Sequence, residues 1–380
     1  MDEVKKVLKK IQIRHLHAGQ PNTELEKVIS ALSKNKKLEK RILLFEGNPY
    51  HGETLCGYSK YFVELGFGVD IVANIKMKKE KPFCRLHEEK VNIYYMTMSG
   101  AALQTFFMHT IIARYAFIFI SSTIVCINGE VYSMPNIIEM TNVKNKTFYV
   151  EHDLLNIGIQ YPSSFVNRRR VFTLIERISE DYHIPMCNPH YFGLTTKPSH
   201  PQGITKFVAI GFMHDGYKSH YNLLKEIKYC QKIAGNDFYV TLIGAGKIGD
   251  VLHKVDNVNF IGRVNFETMF QYIEQSNFLL FMLDPLNSAH ERYLFNQVTG
   301  ALQLALGFGV VPVLCQKYAK AFSLTSEMAV ICDDSAAETG MSRAVLTTAE
   351  EYKLKQDALL AHARKTHSLS LSNIKRALEA

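Results

Sequence analysis

Two stretches of the second half of this chain carry residues suited to holding a diphosphate. The first is Gly211-Phe212-Met213-His214-Asp215-Gly216-Tyr217-Lys218, directly after an apolar run at 206–210. Its glycines let the backbone approach a ligand closely, and Lys218 supplies a point charge. His214 sits at the centre of the same loop. The second is the polar loop 284–297, with His290, Glu291, Arg292, Tyr293 and Asn296, which runs into Thr299-Gly300 and the apolar helical stretch 301–306. Thr299 caps that helix and Gly300 admits a close ligand. The free N–H groups and the dipole of the helix start favour an anion there. Glu291 is the carboxylate suited to sugar or ribose hydroxyls, and Tyr293 the ring suited to covering a base or sugar.

The first half offers proton-transfer chemistry. His51 and Glu53, in Gly47-Asn48-Pro49-Tyr50-His51-Gly52-Glu53, are able to accept or relay a proton from a hydroxyl. Glu151-His152-Asp153 ends another strand at the same edge and adds His152 and Asp153 as cleft residues. Helix capping and loop bonding are the structural alternative for each of these groups.

A rival signal is Gly244-Ala245-Gly246-Lys247-Ile248-Gly249, the GxGxxG pattern of dinucleotide sites, after the strand at 238–243. The chain from Gly249 to the next strand, 257–261, is too short for the crossover helix of such a site. That strand ends in Gly262-Arg263 and lacks the acidic residue that binds a ribose. We therefore read Gly244 and Gly246 as a turn beside a phosphate or base, and Arg263 as a further cation. An NADP-dependent oxidoreductase is the reading this motif leaves open.

These loops need a sheet behind them. Strands are expected at 41–46, 69–75, 91–96, 117–121 and 147–151, with helices at 54–65 and 101–113, and again at 206–210, 238–243, 257–261, 278–283 and 310–314, with an edge strand at 329–332. Strand–helix alternation of this kind implies an α/β protein of parallel, doubly wound sheets. The segment 188–202, with Pro189, Gly193, Pro198 and Pro201, interrupts the pattern as a linker. The expected organisation is one Rossmann-like domain at 1–187, a second at 203–348, and C-terminal helices at 349–380, near 350–364 and 372–378.

A length of 380 residues fits two domains, and 47% hydrophobic with 21% charged residues fits a globular protein. Seven cysteines with no CxxC pair read as reduced, packed thiols. The beginning of the chain lacks the apolar core of a signal peptide, so a cytoplasmic location is expected. The apolar run 106–127 contains His109 and Arg114 and reads as a helix followed by a buried strand, not as a membrane span. Residues 1–40 hold ten Lys/Arg against five acids, with apolar residues at Val4, Leu8, Ile11 and Ile13. That segment reads either as a solvated helix packed on the domain or as a peripheral contact with an anionic membrane. No motif for nucleic acid is present.

The order strand–Gly–Lys218, strand–Gly-x-Gly, Phe260-Ile261-Gly262-Arg263, and a Glu-bearing loop before a helix that leads to Gly309-Val310-Val311-Pro312-Val313 resembles the donor half of GT-B glycosyltransferases, in particular the retaining family 4. The resemblance covers about 207–314. It departs from the family where the usual Arg is Phe212, and where the second of two paired glutamates has no counterpart: near 303–305 only Gln303 is polar. It implies two Rossmann-like domains facing a cleft, a nucleotide-diphosphate sugar as substrate, no separate cofactor, and no required metal. The acceptor it implies is a glycan or lipid-linked glycan in surface-polysaccharide synthesis. A nucleotide-sugar epimerase or a phosphorylase would share the same cleft.

Overall fold

The structure is a computed structural model that describes residues 23–35, 37–157, 170–178, 183–214, 217–248 and 250–380. The basic segment around Val4–Ile13, together with Asp215, Gly216 and Gly249, lies outside the described residues.

The chain builds two parallel six-stranded sheets of one topology. The first contains β1 (Arg41–Glu46), β2 (Gly68–Asn74), β3 (Val91–Met96) and β4 (Phe117–Ile120). An antiparallel hairpin, β5 (Ile124–Ile127) with β6 (Glu130–Ser133), follows. The sheet resumes with β7 (Thr147–Glu151) and β8 (Val171–Thr173), and a short hairpin of β9 (Arg177–Ile178) and β10 (His183–Ile184) closes this half. The second sheet contains β11 (Thr205–Ile210), β12 (Phe238–Ile243), β13 (Val258–Gly262), β14 (Phe278–Leu280), β15 (Val311–Cys315) and β16 (Val330–Cys332). Strand orders are β3-β2-β1-β4-β7-β8 and β13-β12-β11-β14-β15-β16. Each order reverses beside its first strand, between β1 and β4 and between β11 and β14. Such a switch point opens a crevice at the carboxyl ends of the strands.

The apolar strands are explained by burial on both faces. Along β1, Leu43 and Phe45 enter one core cluster while Ile42 and Leu44 enter another on the opposite face. Along the second sheet, Val208 and Leu279 face one core, and Phe207, Ala209 and Phe278 the other. Period-two alternation therefore delivers every residue to a core, which is why these strands read as unbroken apolar runs.

Two elements differ from the expectations, while the helix-then-strand reading of 106–127 holds with a shorter helix. The run 106–127 divides into a helix (Gly100–Met108), a 3-10 turn (Ile112–Arg114), β4 and β5, and among the described residues no helix is long and apolar enough to cross a membrane. The hairpin β5–β6 was not anticipated, although Asn128-Gly129, both at positive φ, is the turn that joins its two four-residue strands. The tail forms one helix, Ala349–Glu379, and not two. Its weak helix formers around 367–370 are held by tertiary bonds: His367 Nε2 lies 2.7 Å from Glu64, and Ser370 Oγ accepts the N–H of Asn188 at 3.0 Å. The same helix reaches the other half, where Gln356 donates to the carbonyls of Pro198 and Gly309 and Tyr352 donates to that of Asn277.

Segment 188–202 has no helix or strand but is far from loose: Asn188, His190 and Phe192 are buried, and Pro189 sits against Gly57. The two sheets are further tied by Arg85–Glu274, a two-pronged pair at 2.5 and 2.8 Å, and by Lys81–Glu267 at 2.8 Å. Asp153 and Gln297 form a bridge from one half to the other, with their side chains bonded at 2.7 Å.

Candidate active site

Between the two switch points lies a cavity of about 780 Å³ with walls from both halves. The second half contributes Gly211, Tyr217, Lys218, Gly244, Arg263, Tyr293, Thr299 and Gly300, and the first contributes His51, Glu53 and His152. Ten of these residues, all but Tyr217, were singled out from the sequence and thus meet in one space. Glu291, His214, Gly246 and Asp153 do not line it.

Lys218 is only 3% exposed, and its Nζ donates to the carbonyl of Phe281 at 2.7 Å. Burial pushes its pKa down to about 8. Among the described residues no carboxylate pairs with it, so the site holds a cation beside a cavity able to take an anion. Gly211, at φ 138°, lies over the lysine stem: a Cβ there would stand 3.1 Å from its Cε.

The GxGxxG glycines have a local explanation. A Cβ on Gly244 would fall 1.6 Å from the carbonyl oxygen of Gly211, and one on Gly246 would fall 2.3 Å from that of Met213. Met213 N–H donates to Ala245 at 2.7 Å and Lys247 N–H to Met213 at 3.1 Å, so the two strand-end loops are stacked backbone to backbone. The helix that follows, Asp250–His253, has four residues. The motif here is the packing signature of two loops, not the start of a dinucleotide-binding helix.

The helix Gly300–Phe308 begins at Thr299, whose side chain accepts the N–H of Ala301. Gly300 is exposed at its first position, and a Cβ there would meet nothing within 4 Å, so its amide end is open. Gln303 lies a turn further in. It is 4% exposed, lines the cavity, and its Nε2 has no hydrogen-bond partner. It is the polar exception in Ala301-Leu302-Gln303-Leu304-Ala305-Leu306, a signal present in the sequence but not used to assign a role.

Loop 284–297 folds into two short turns that bring His290 inside, fully buried, where its Nδ1 accepts the N–H of Asp284 at 2.8 Å. This leaves Glu291 exposed, outside the cavity wall. The expected carboxylate on sugar hydroxyls is therefore not at Glu291 in this arrangement. Arg292 stacks over Tyr217 at 4.2 Å and Tyr293 at 5.0 Å, and Phe212 packs edge-on to Tyr217. An aromatic lip results. Arg263, expected as a phosphate ligand, is 3.2 Å from Glu80 across the cleft.

On the opposite wall, loop 47–53 is pinned from below. Asn48 donates to the carbonyl of Ile124 and accepts the N–H of Cys126, and Asn74 donates to the carbonyl of Gly47. Glu46, fully buried, accepts from Ser121 and Ser122 at 2.5 Å and from the N–H of Asn48 at 2.7 Å. Burial raises its pKa despite His51 and these donors. Glu46 escaped the sequence reading because an acid closing an apolar strand looks like a strand end.

His51 takes the left-handed backbone (φ 66°), which turns its ring toward His152, 4.8 Å away between centroids. Burial works against a proton on His51, but the charge of Glu53, whose Oε1 lies 3.9 Å from Nδ1, with Glu46 behind, raises its pKa from 6.5. His152 is pushed the other way, to about 3, by burial and by His51. Its Nε2 is 2.8 Å from the Ser121 carbonyl, which fixes the neutral tautomer with its proton on Nε2. Two adjacent histidines are thereby set to opposite tasks, one chargeable and one permanently neutral.

No family model and no curated protein matches this sequence. Solved structures do match its shape. A glycosyltransferase from Rickettsia africae has 13% identity and a TM-score of 0.53, over 89% of this chain and 98% of that one. HepE from Anabaena, determined in complex with UDP-glucose, has 10% identity and a TM-score of 0.52, over 88% and 98%. AviGT4, a glycosyltransferase involved in avilamycin A biosynthesis, has 11% identity and a TM-score of 0.52, over 90% and 98%. At such identities the likeness establishes architecture: two Rossmann-like domains facing a cleft, the GT-B fold.

Proposed function

We propose that this chain is a glycosyltransferase that moves a sugar from a nucleotide-diphosphate donor to a glycan or lipid-linked glycan acceptor. The observation that carries this reading is Lys218, a buried cation beneath Gly211 in a cavity it shares with the open helix start at Thr299–Gly300. A diphosphate is the anion that geometry suits. The second half would hold the donor, with the aromatic lip against its base, and the first would hold the acceptor. The likeness in fold to proteins described as glycosyltransferases supports the reading.

In this reaction the acceptor oxygen bonds the anomeric carbon as the bond from that carbon to the diphosphate oxygen breaks. The electron pair leaves on the diphosphate, where Lys218 and the amides at Thr299–Gly300 carry the charge. The acceptor proton passes to His51, a stronger base than free imidazole because Glu53 and Glu46 favour its protonated form. The finer assignment, to the retaining family 4 and to surface-polysaccharide synthesis at the inner face of a membrane, rests on motif order and on the basic first forty residues. Charge neutralisation by Lys218 makes the reaction metal-independent in this reading.

The test is hydrogen exchange and product analysis with a panel of nucleotide sugars in chelator-containing buffer. A nucleotide sugar should protect amides around 211–218 and 290–303, with weaker protection near 244–246, and transfer should need an added acceptor. Turnover without an acceptor would favour the epimerase. Micromolar NADP binding with protection centred on 244–252 would replace this function with a dehydrogenase.

A pH dependence follows from Lys218. Its ammonium must be protonated to hold a diphosphate, and its pKa without ligand is about 8. Affinity for a nucleoside diphosphate should be flat below about pH 7 and fall by about tenfold per pH unit above 8, as binding has to take up a proton. Calorimetry in buffers of different ionisation heat checks it. Affinity constant from pH 7 to 9.5 would separate Lys218 from the anion.

A further inference from the structure

Two buried polar atoms in the cavity walls have no partner, and they are of opposite kinds. Glu53 Oε2, from the first half, is an acceptor, while its Oε1 lies 3.9 Å from His51 Nδ1. Gln303 Nε2, from the second half, is a donor. Both residues line the same space. Leaving such groups unsatisfied destabilises a protein, so a site that keeps them is shaped for a ligand that satisfies them. A hydroxyl both donates and accepts, and a sugar ring carries several. The diphosphate supplies no donor to Glu53, so it cannot be the group that answers it.

We propose that Glu53 and Gln303 read hydroxyls of the transferred sugar, and that Glu53 restricts the donor to neutral sugars by rejecting hexuronates. This rests on the cavity being a nucleotide-sugar site. The rejection is electrostatic: a hexuronate carboxylate would set a second negative charge beside Glu53, whose Oε2 is buried from water. Gln303 recognises either class, since its N–H donates to any sugar oxygen; Glu53 decides between them. Because the two side chains come from different halves, the sugar is read only when the halves face each other as they do here.

The experiment compares six probes by calorimetry: UDP, UDP-glucose and UDP-glucuronate, and GDP, GDP-mannose and GDP-mannuronate. They are measured on the full chain and on its Glu53→Gln and Gln303→Leu variants. Wild type should bind the neutral sugar nucleotide about 30-fold more tightly than its acidic counterpart, a typical reach for a like-charge clash. Glu53→Gln should bring the two within about threefold, and leave the bare diphosphate unchanged. Gln303→Leu should weaken both sugar nucleotides about tenfold, the loss of one buried hydrogen bond, again without touching the diphosphate. Equal affinity for neutral and acidic donors in wild type overturns the proposal. So does a Glu53→Gln effect that falls equally on the bare diphosphate. Failure of every diphosphate to bind removes the nucleotide-sugar reading itself, a distinct outcome. Should Gln303→Leu not fold, the isosteric Glu53→Gln decides alone.

Discussion

Lys218→Met is expected to weaken binding of a nucleoside diphosphate by about 100-fold, near 3 kcal/mol, while thermal stability is unchanged or raised. The two halves of this result have one cause. Folding takes the ammonium out of water and gives it a single carbonyl, that of Phe281, as partner. Its pKa accordingly drops from 10.5 to about 8. Below pH 8 the folded protein holds a charge that the unfolded chain solvates better. Lys218 therefore works against stability at neutral pH, and the loss fades as pH rises from 8 toward 10.5. Methionine fills a similar volume without the charge. A purely structural lysine, retained to cap Phe281, predicts the reverse pattern: lower melting temperature and donor affinity within about threefold of wild type. Calorimetry and a thermal melt at pH 7 separate the two.

Gly244→Ala is expected to cost several kcal/mol and to abolish donor binding. The added methyl would enter 1.6 Å from the carbonyl oxygen of Gly211, and the backbone at φ 151° is one that alanine avoids. Neither atom is the end of a flexible side chain, so the two loops must part. The loop displaced is the one that covers Lys218. Gly203→Ala is the control: its φ is also positive, at 96°, but a Cβ there meets nothing within 4 Å, so its cost should stay near 1 kcal/mol. Equal melting temperatures for the two alanine variants would show that the loop stacking contributes nothing.

Much of this architecture was legible in the residues. β1, β3, β7 and β12 lie where the apolar runs predict, because a strand buried on both faces has no other way to be written. Loops follow carboxyl ends by the same logic, and so the loops bearing Lys218, Thr299, Gly300, His51 and His152, all of which line the cavity, were legible in the sequence. What escaped was of two kinds. The hairpin β5–β6 and the tiny strands β8 to β10 are too short or too continuous with their neighbours for periodicity to separate them. Glu46 and Gln303 look in the sequence like a strand end and a stray polar residue.

The sequence by itself determined the doubly wound class, the order of the loops and the glycine-bearing turns, since each depends on contacts within a few residues or on a strand's own pattern. The tertiary structure alone decided which side chains share the cavity. It turned His290 inward and left Glu291 in solvent, paired Arg263 with Glu80 across the cleft, and stacked loop 211–213 on 244–246. It also gave the two neighbouring histidines different protonation behaviour, through burial and through the carboxylates that stand behind one of them. Those outcomes depend on distance and solvent exclusion between residues far apart in the chain, and neither quantity is carried by residue type or spacing.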